Sequence, residues 1–182
     1  MDKALVKLSR FVSLVLRHKP GAIGLSLDAG GWADADALIT AAQRAGVPLT
    51  RERLAQIVAQ NDKQRFAFSP DGQKIRASQG HSLPVDLGLP PVVPPEVLFH
   101  GTAGRFLPGI RARGLVRGRR QHVHLSSDEA TARAVGGRHG PPVVLRVLAG
   151  RLHAAGGVFY QSANGVWLTE GVPPEYLVFP AD

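Results

Sequence analysis

Apolar residues recur at helical spacing over residues 4–18, where Leu5, Leu8, Phe11, Val12, Val15 and Leu16 fall on one side. The helix should end around Arg17-His18-Lys19-Pro20, because a residue before proline is pushed out of the helical region. Arg17 and His18 then meet the negative pole of the helix dipole, and charge matching alone would account for them. Asp34 can cap a second helix running through Arg44 with Gly46 beyond it, and Thr50 a third running through Gln60.

After the third helix, Lys63-Gln64-Arg65-Phe66-Ala67-Phe68 and Lys74-Ile75-Arg76-Ala77 flank Ser69-Pro70-Asp71-Gly72. Alternating stretches on either side of Pro-Asp-Gly predict a β-hairpin. Phe66, Phe68 and Ile75 face inward, and Arg65 and Arg76 outward, where they either solubilise the surface or meet a ligand. Three short helices closed by a basic hairpin make a winged helix-turn-helix over residues 1–82, a common nucleic-acid-binding plan. Residues 83–95 hold Pro84, Pro90, Pro91, Pro94 and Pro95, a semi-rigid connector between two lobes.

The second lobe, 96–182, opens with the apolar strand Val97-Leu98-Phe99, which should break at a small turn, His100-Gly101-Thr102. A short helix carrying Phe106 and Ile110 leads to Gly114. Strands are expected at 143–148, 158–160, 166–169 and 176–179, with Asn164-Gly165 as a tight turn. Many short strands with few helices make this an antiparallel α+β lobe. Between them lies Arg119-Arg120-Gln121-His122-Val123-His124-Leu125-Ser126. With a two-residue period, Val123 and Leu125 take the buried side, while Arg120, His122, His124 and Ser126 share the polar one. Ser126-Ser127-Asp128-Glu129 has capping-box spacing, so a helix should start there with its free N–H groups outward, a natural anion seat. A solvated edge strand is the plainer alternative.

Composition sharpens this. The 182 residues hold 22 Lys+Arg against 14 Asp+Glu, a net charge of +8 with a pI near 10.8, which points to a polyanionic partner. All the lysines (3, 7, 19, 63 and 74) precede residue 80, whereas Arg105, Arg111, Arg113, Arg117, Arg119 and Arg120 crowd one stretch without an acid among them. Arginine can hold phosphate through two parallel hydrogen bonds where lysine offers a point charge. No cysteine is present, which excludes disulfides and thiolate metal sites. Without a membrane-length apolar run or a signal segment, the cytoplasm is the expected location and a monomer the default. Neither a P-loop nor a Rossmann glycine fingerprint occurs. His122 and His124 have no cysteine or carboxylate at ligand spacing, so no metal is expected.

Leu16-Arg17-His18-Lys19-Pro20, Lys63-Gln64-Arg65-Phe66, Ile75-Arg76-Ala77-Ser78-Gln79-Gly80-His81-Ser82, His100-Gly101-Thr102, Arg120-Gln121-His122-Val123-His124-Leu125-Ser126 and Asn164-Gly165-Val166-Trp167-Leu168-Thr169 resemble the KptA-type RNA 2′-phosphotransferases, in the family's order. The resemblance implies a winged-helix RNA lobe followed by a lobe like that of ADP-ribosyltransferases. It implies transfer of an internal RNA 2′-phosphate, as at a tRNA splice junction, to NAD consumed as co-substrate. The products would be nicotinamide, RNA 2′-OH and ADP-ribose 1″,2″-cyclic phosphate, formed through an ADP-ribosylated RNA intermediate. The family's catalytic Arg-His-Arg-Arg set maps onto Arg17, His18, Arg65 and Arg120, expected to crowd around one phosphate. His100, Gly101, Thr102 and Ser126 map onto NAD-binding positions, with His124 beside them. Gly101 would let backbone approach the nicotinamide or ribose, the alternative being an ordinary turn glycine, with Thr102 as a cap for the next helix. Arg76, Gln79 and His81 suit RNA or its terminal phosphate. Position 78 is Ser where the family pattern has Asn. Two rivals stay open: an ADP-ribosyltransferase that stops at the first step, using Glu170 after the 166–169 strand, and a non-catalytic winged-helix RNA or DNA binder.

Overall fold

The computed structural model describes residues 1–181. The chain divides into two compact units, Met1–Gly88 and Leu89 onward. Residues 84–95 carry no helix or strand; Asp86 N bonds Ala29 O in the first unit and Val92 N bonds Phe159 O in the second.

In the first unit, helix α1 (Lys3–Arg17) starts on Asp2, whose carboxylate accepts from Leu5 N at 2.8 Å. Its stripe of Leu5, Leu8, Val12, Val15 and Leu16 is buried, as the spacing requires. Strand β1 (Ala33–Asp34) leads into helix α2 (Ala35–Arg44), with Asp34 bonded to Ala37 N, and helix α3 (Arg51–Gln60) follows with Thr50 bonded to Arg53 N. The hairpin is built from β2 (Phe66–Phe68) and β3 (Lys74–Ala77), with Phe66 opposite Ala77 and Phe68 opposite Ile75. Phe66 and Ile75 are buried against the helices, with Leu38, Leu49, Leu54 and Ile57 in the same core. β1 joins β3 on its other side, a pairing that no local pattern announces.

The second unit holds β4 (Leu98–Ala103), α4 (Leu107–Arg113), β5 (Leu115–Val116), β6 (Val123–Leu125), α5 (Glu129–Gly136), β7 (Pro142–Val147), α6 (Ala149–Ala154), β8 (Phe159–Gln161), β9 (Trp167–Thr169), β10 (Gly171–Val172) and β11 (Leu177–Val178). The sheets run β11-β7-β4, β6-β9-β8 and β10-β5, all antiparallel. Phe99 and Ser126 exchange both main-chain hydrogen bonds and so tie β4 to the end of β6. The core gathers Leu98, Val123, Leu125, Leu145, Val147, Phe159 and Trp167. Across the described residues the architecture is mixed α and β with small antiparallel sheets, and no helix is long and apolar enough to cross a membrane.

Four expectations are corrected here. His100-Gly101-Thr102 is no turn but the middle of β4, paired residue by residue with Leu145, Val144 and Val143. Thr102 caps no helix, since the short 3-10 turn after it, Gly104–Phe106, has Ala103 at its N-cap and no side-chain cap. The polar strand is shorter than 120–126, and Arg120 lies in the bend before β6. The N-cap of α5 is Asp128 rather than Ser126: its carboxylate accepts from Thr131 N at 2.7 Å, so the anion at this helix start is the protein's own.

The missing side chain of Gly101 is needed for packing. A Cβ there would stand 1.6 Å from the Ala132 carbonyl oxygen, and one on Gly136 would stand 2.8 Å from Thr102 N. α5 therefore sits directly on the backbone of β4. Gly101→Ala is expected to cost about 3 kcal/mol or more, lowering the melting temperature by at least roughly 6 °C. Calorimetry of the ligand-free chain checks this, and an unchanged melting temperature would count against the crossing.

Candidate functional site

The end of α1 presents Arg17 and His18, and residues 79–82 lie along them. Ser82 N donates to Arg17 O at 3.0 Å, and the Ser82 hydroxyl meets His18 Nδ1 at 2.9 Å. Gly80, at φ +90°, lies under the Arg17 side chain, whose atoms stand 3.4–3.6 Å from where a Cβ would be. His81 is 1% exposed, and neither ring nitrogen has a hydrogen-bond partner among the described residues. Burial first, then the charges of Arg17, His18 and Arg76, push its pKa down to about 4. His81 is therefore neutral at physiological pH, and its surroundings gather Arg17, His18 and Arg76.

Arg76, half-buried on β3, stacks 4.4 Å over the Trp32 ring and donates to Gly30 O at 3.3 Å. Burial lowers its pKa, with Asp28 opposing. Arg65 directly precedes β2, and its carbonyl accepts from Ser78 N at 2.8 Å, which ties its main chain to the strand end leading to Gln79. Gln79 is buried with Oε1 unpartnered among the described residues, so neither Gln79 nor His81 turns its side chain to solvent. Like charges gathered in this way repel, by roughly 4 kcal/mol per pair at 4 Å and an effective dielectric of 20.

In the second unit, the two-residue period of β4 puts His100 and Thr102 on one face and turns Gly101 to the other, against α5. Gly101 thus serves the helix contact. His100 and Thr102 line a cavity of about 410 Å³ with Arg105, Phe106 and Arg113. Arg105 lies 4.7 Å over the exposed Phe106 ring. His100 Nδ1 donates to the His124 carbonyl at 3.1 Å, and burial lowers its pKa against that hydrogen bond. Because a carbonyl only accepts, Nδ1 carries the proton. Arg120 donates to His124 Nδ1 at 3.0 Å, so there the unprotonated nitrogen is Nδ1. Arg120's own pKa is lowered by burial and by the nearby Arg138. Ser126, in the bridge to Phe99, stands one strand residue further.

The structure thus joins Arg17, His18, Arg76 and His81 within the first unit, and His100, Arg120 and His124 within the second. Sequence reasoning missed Trp32, the Arg105-Phe106-Arg113 wall and the contact of Ser82 with His18. Only the arginine-rich run gave a signal for the wall. Among the described residues no group of three or more His, Cys, Asp or Glu could hold a metal ion.

A family model described as RNA 2′-phosphotransferase, Tpt1 / KptA family, matches residues 3–171. The chain belongs to that family. A protein of Hahella chejuensis named "Probable RNA 2′-phosphotransferase" is 57% identical over 97% of this chain and 95% of its own length. Proteins of the same name from Rhodopirellula baltica and Agrobacterium fabrum are 54% and 57% identical, covering 98% and 96% of this chain and 98% and 94% of their own. Every Tpt1/KptA candidate residue named above lies inside the matched segment.

The buried histidine gives a pH signature. His81 has a lower pKa folded than unfolded, so between pH 6.5 and 4 the unfolded chain binds more protons, and stability falls as the pH falls. The contribution at full development is about 3 kcal/mol. Urea denaturation at pH 7 and 4.5 should show His81→Gln losing much less stability over this interval than the parent; equal slopes would contradict the buried neutral ring.

Proposed function

We propose that this chain removes an internal 2′-phosphate from RNA by transferring it to NAD⁺. The observation that carries the reading is the match to the RNA 2′-phosphotransferase family over residues 3–171. The cationic cluster around His81 and the cavity beside His100 support it. On this reading the first unit is a winged-helix RNA lobe, in keeping with its three helices and hairpin, and the second an ADP-ribosyltransferase-like lobe.

The residues lining the second-unit cavity fit part of a dinucleotide. Arg105 and Arg113 supply cations suited to a pyrophosphate, Phe106 an exposed ring face, and His100 and Thr102 polar groups for ribose. Ser126 and His124 would orient the same ligand. In the first step a 2′-phosphate oxygen bonds to the ribose C1″ as the bond to nicotinamide breaks. In the second, the ribose 2″-OH attacks phosphorus, the bond from phosphorus to the RNA 2′-oxygen breaks, and that oxygen takes up a proton. Arg17, Arg65 and Arg120 serve the phosphate, offsetting charge that grows on its oxygens. His18 is the member of the set able to move the proton given up by the 2″-OH. Arg76, Gln79 and His81 hold the RNA-side groups in place.

Glu170 lies in the bend just after β9, is exposed and lines a larger cavity of about 800 Å³ that adjoins the first along Arg113, Leu115 and Val116. It separates this proposal from a plain ADP-ribosyltransferase, which would need a carboxylate there. The test is to incubate the full chain with NAD⁺ and a 2′-phosphorylated oligoribonucleotide and to identify the products. Nicotinamide, RNA 2′-OH and ADP-ribose 1″,2″-cyclic phosphate are expected. A stable ADP-ribosylated RNA would favour the transferase, and no nicotinamide release would favour a non-catalytic binder. Replacing Arg17, His18, Arg65 or Arg120 by Ala should lower turnover by roughly 10²-fold or more, whereas Glu170→Gln stays within about twofold.

A further inference from the structure

The proposed reaction names the groups that touch phosphate but leaves unexplained what holds Arg17 and His18 in place. Both are the last residues of a helix, where a chain ordinarily frays. Residues 80–82 supply the restraint. Gly80 leaves room for the Arg17 side chain to lie across the main chain. Ser82 N fastens the Arg17 carbonyl, and the Ser82 hydroxyl reaches His18 Nδ1. His81, between them, fills the buried space beneath as a neutral ring, and a Cβ on Gly31 would come within 3.2 Å of its Nε2.

The chemistry of these partners is distinctive. Each is uncharged: a glycine, a neutral imidazole and a hydroxyl. A carboxylate in place of Ser82 would bond the imidazole too, but it would also neutralise part of the positive field meant for an anion and hold His18 in its charged form. A hydroxyl rotates, so it can accept from Nδ1–H or donate to a bare Nδ1. It can therefore accompany the imidazole through either protonation state.

We infer that Ser82 is a positioning residue: its hydroxyl orients His18 through Nδ1 and so assigns proton traffic with the substrate to Nε2. This rests on the proposed 2′-phosphotransfer for its kinetic consequence, and on the 2.9 Å contact alone for its structural one.

The experiment compares the full chain with Ser82→Ala, Ser82→Thr and Ser82→Asp. Long-range ¹H–¹⁵N spectra of the His18 ring read the hydrogen bond without turnover, and steady-state kinetics with NAD⁺ and 2′-phosphorylated RNA read its use. Ser82→Ala should shift the His18 Nδ1 resonance and lower kcat about tenfold with the KM for NAD⁺ unchanged, and Ser82→Thr should restore both. Ser82→Asp should keep the ring ordered yet weaken binding of the phosphorylated RNA. An unshifted Nδ1 resonance in Ser82→Ala, or wild-type kcat in that variant, would overturn the inference. If the parent chain itself produces no nicotinamide, the phosphotransferase reading fails, and the spectra still decide whether Ser82 orients His18.

Discussion

Positive charges placed side by side push one another apart, and the first unit holds several of them still. Arg17 and His18 are fixed at a helix end through Ser82, and Arg76 is held by the Trp32 ring and a carbonyl, with Asp28 acting on it from nearby. The imidazole of His81, pressed to neutrality beneath them, records how little water and how much positive field the place contains.

The second unit also holds arginine by flat contacts. Arg105 rests on an exposed aromatic ring, and Arg120 commits one donor to a histidine. These are flat, directional contacts that preset the guanidinium planes, and flatness is what a phosphate reads. Membership of the Tpt1/KptA family gives both arrangements a common purpose under the proposed reaction.

Local signals carried much of the fold. Helices α1 to α3 and the hairpin were legible because their apolar spacing and their caps, Asp34 and Thr50, act within a few residues. What depends on distant partners was not. Strands β1, β5 and β10 are two residues long and exist only through pairing. The start of α5 was misplaced because Ser126 and Asp128 are both competent caps, and long-range pairing with Phe99 takes Ser126 out of contention. Among site residues, the Arg17–His18 pair was visible at its helix end, and the family motif pointed to Arg65 and Arg120. The work of Ser82 was hidden, because its partner stands 64 residues earlier in the chain.

The seating of α5 on bare β4 backbone has an effect beyond tolerance to mutation. With no side chains between them to slide or repack, helix and strand form one slab, and His100 and Thr102 project from its far face. That side of the cavity is a fixed template. Accommodation of an incoming molecule falls to the opposite wall, where Arg105, Phe106 and Arg113 stand exposed on longer, freer side chains.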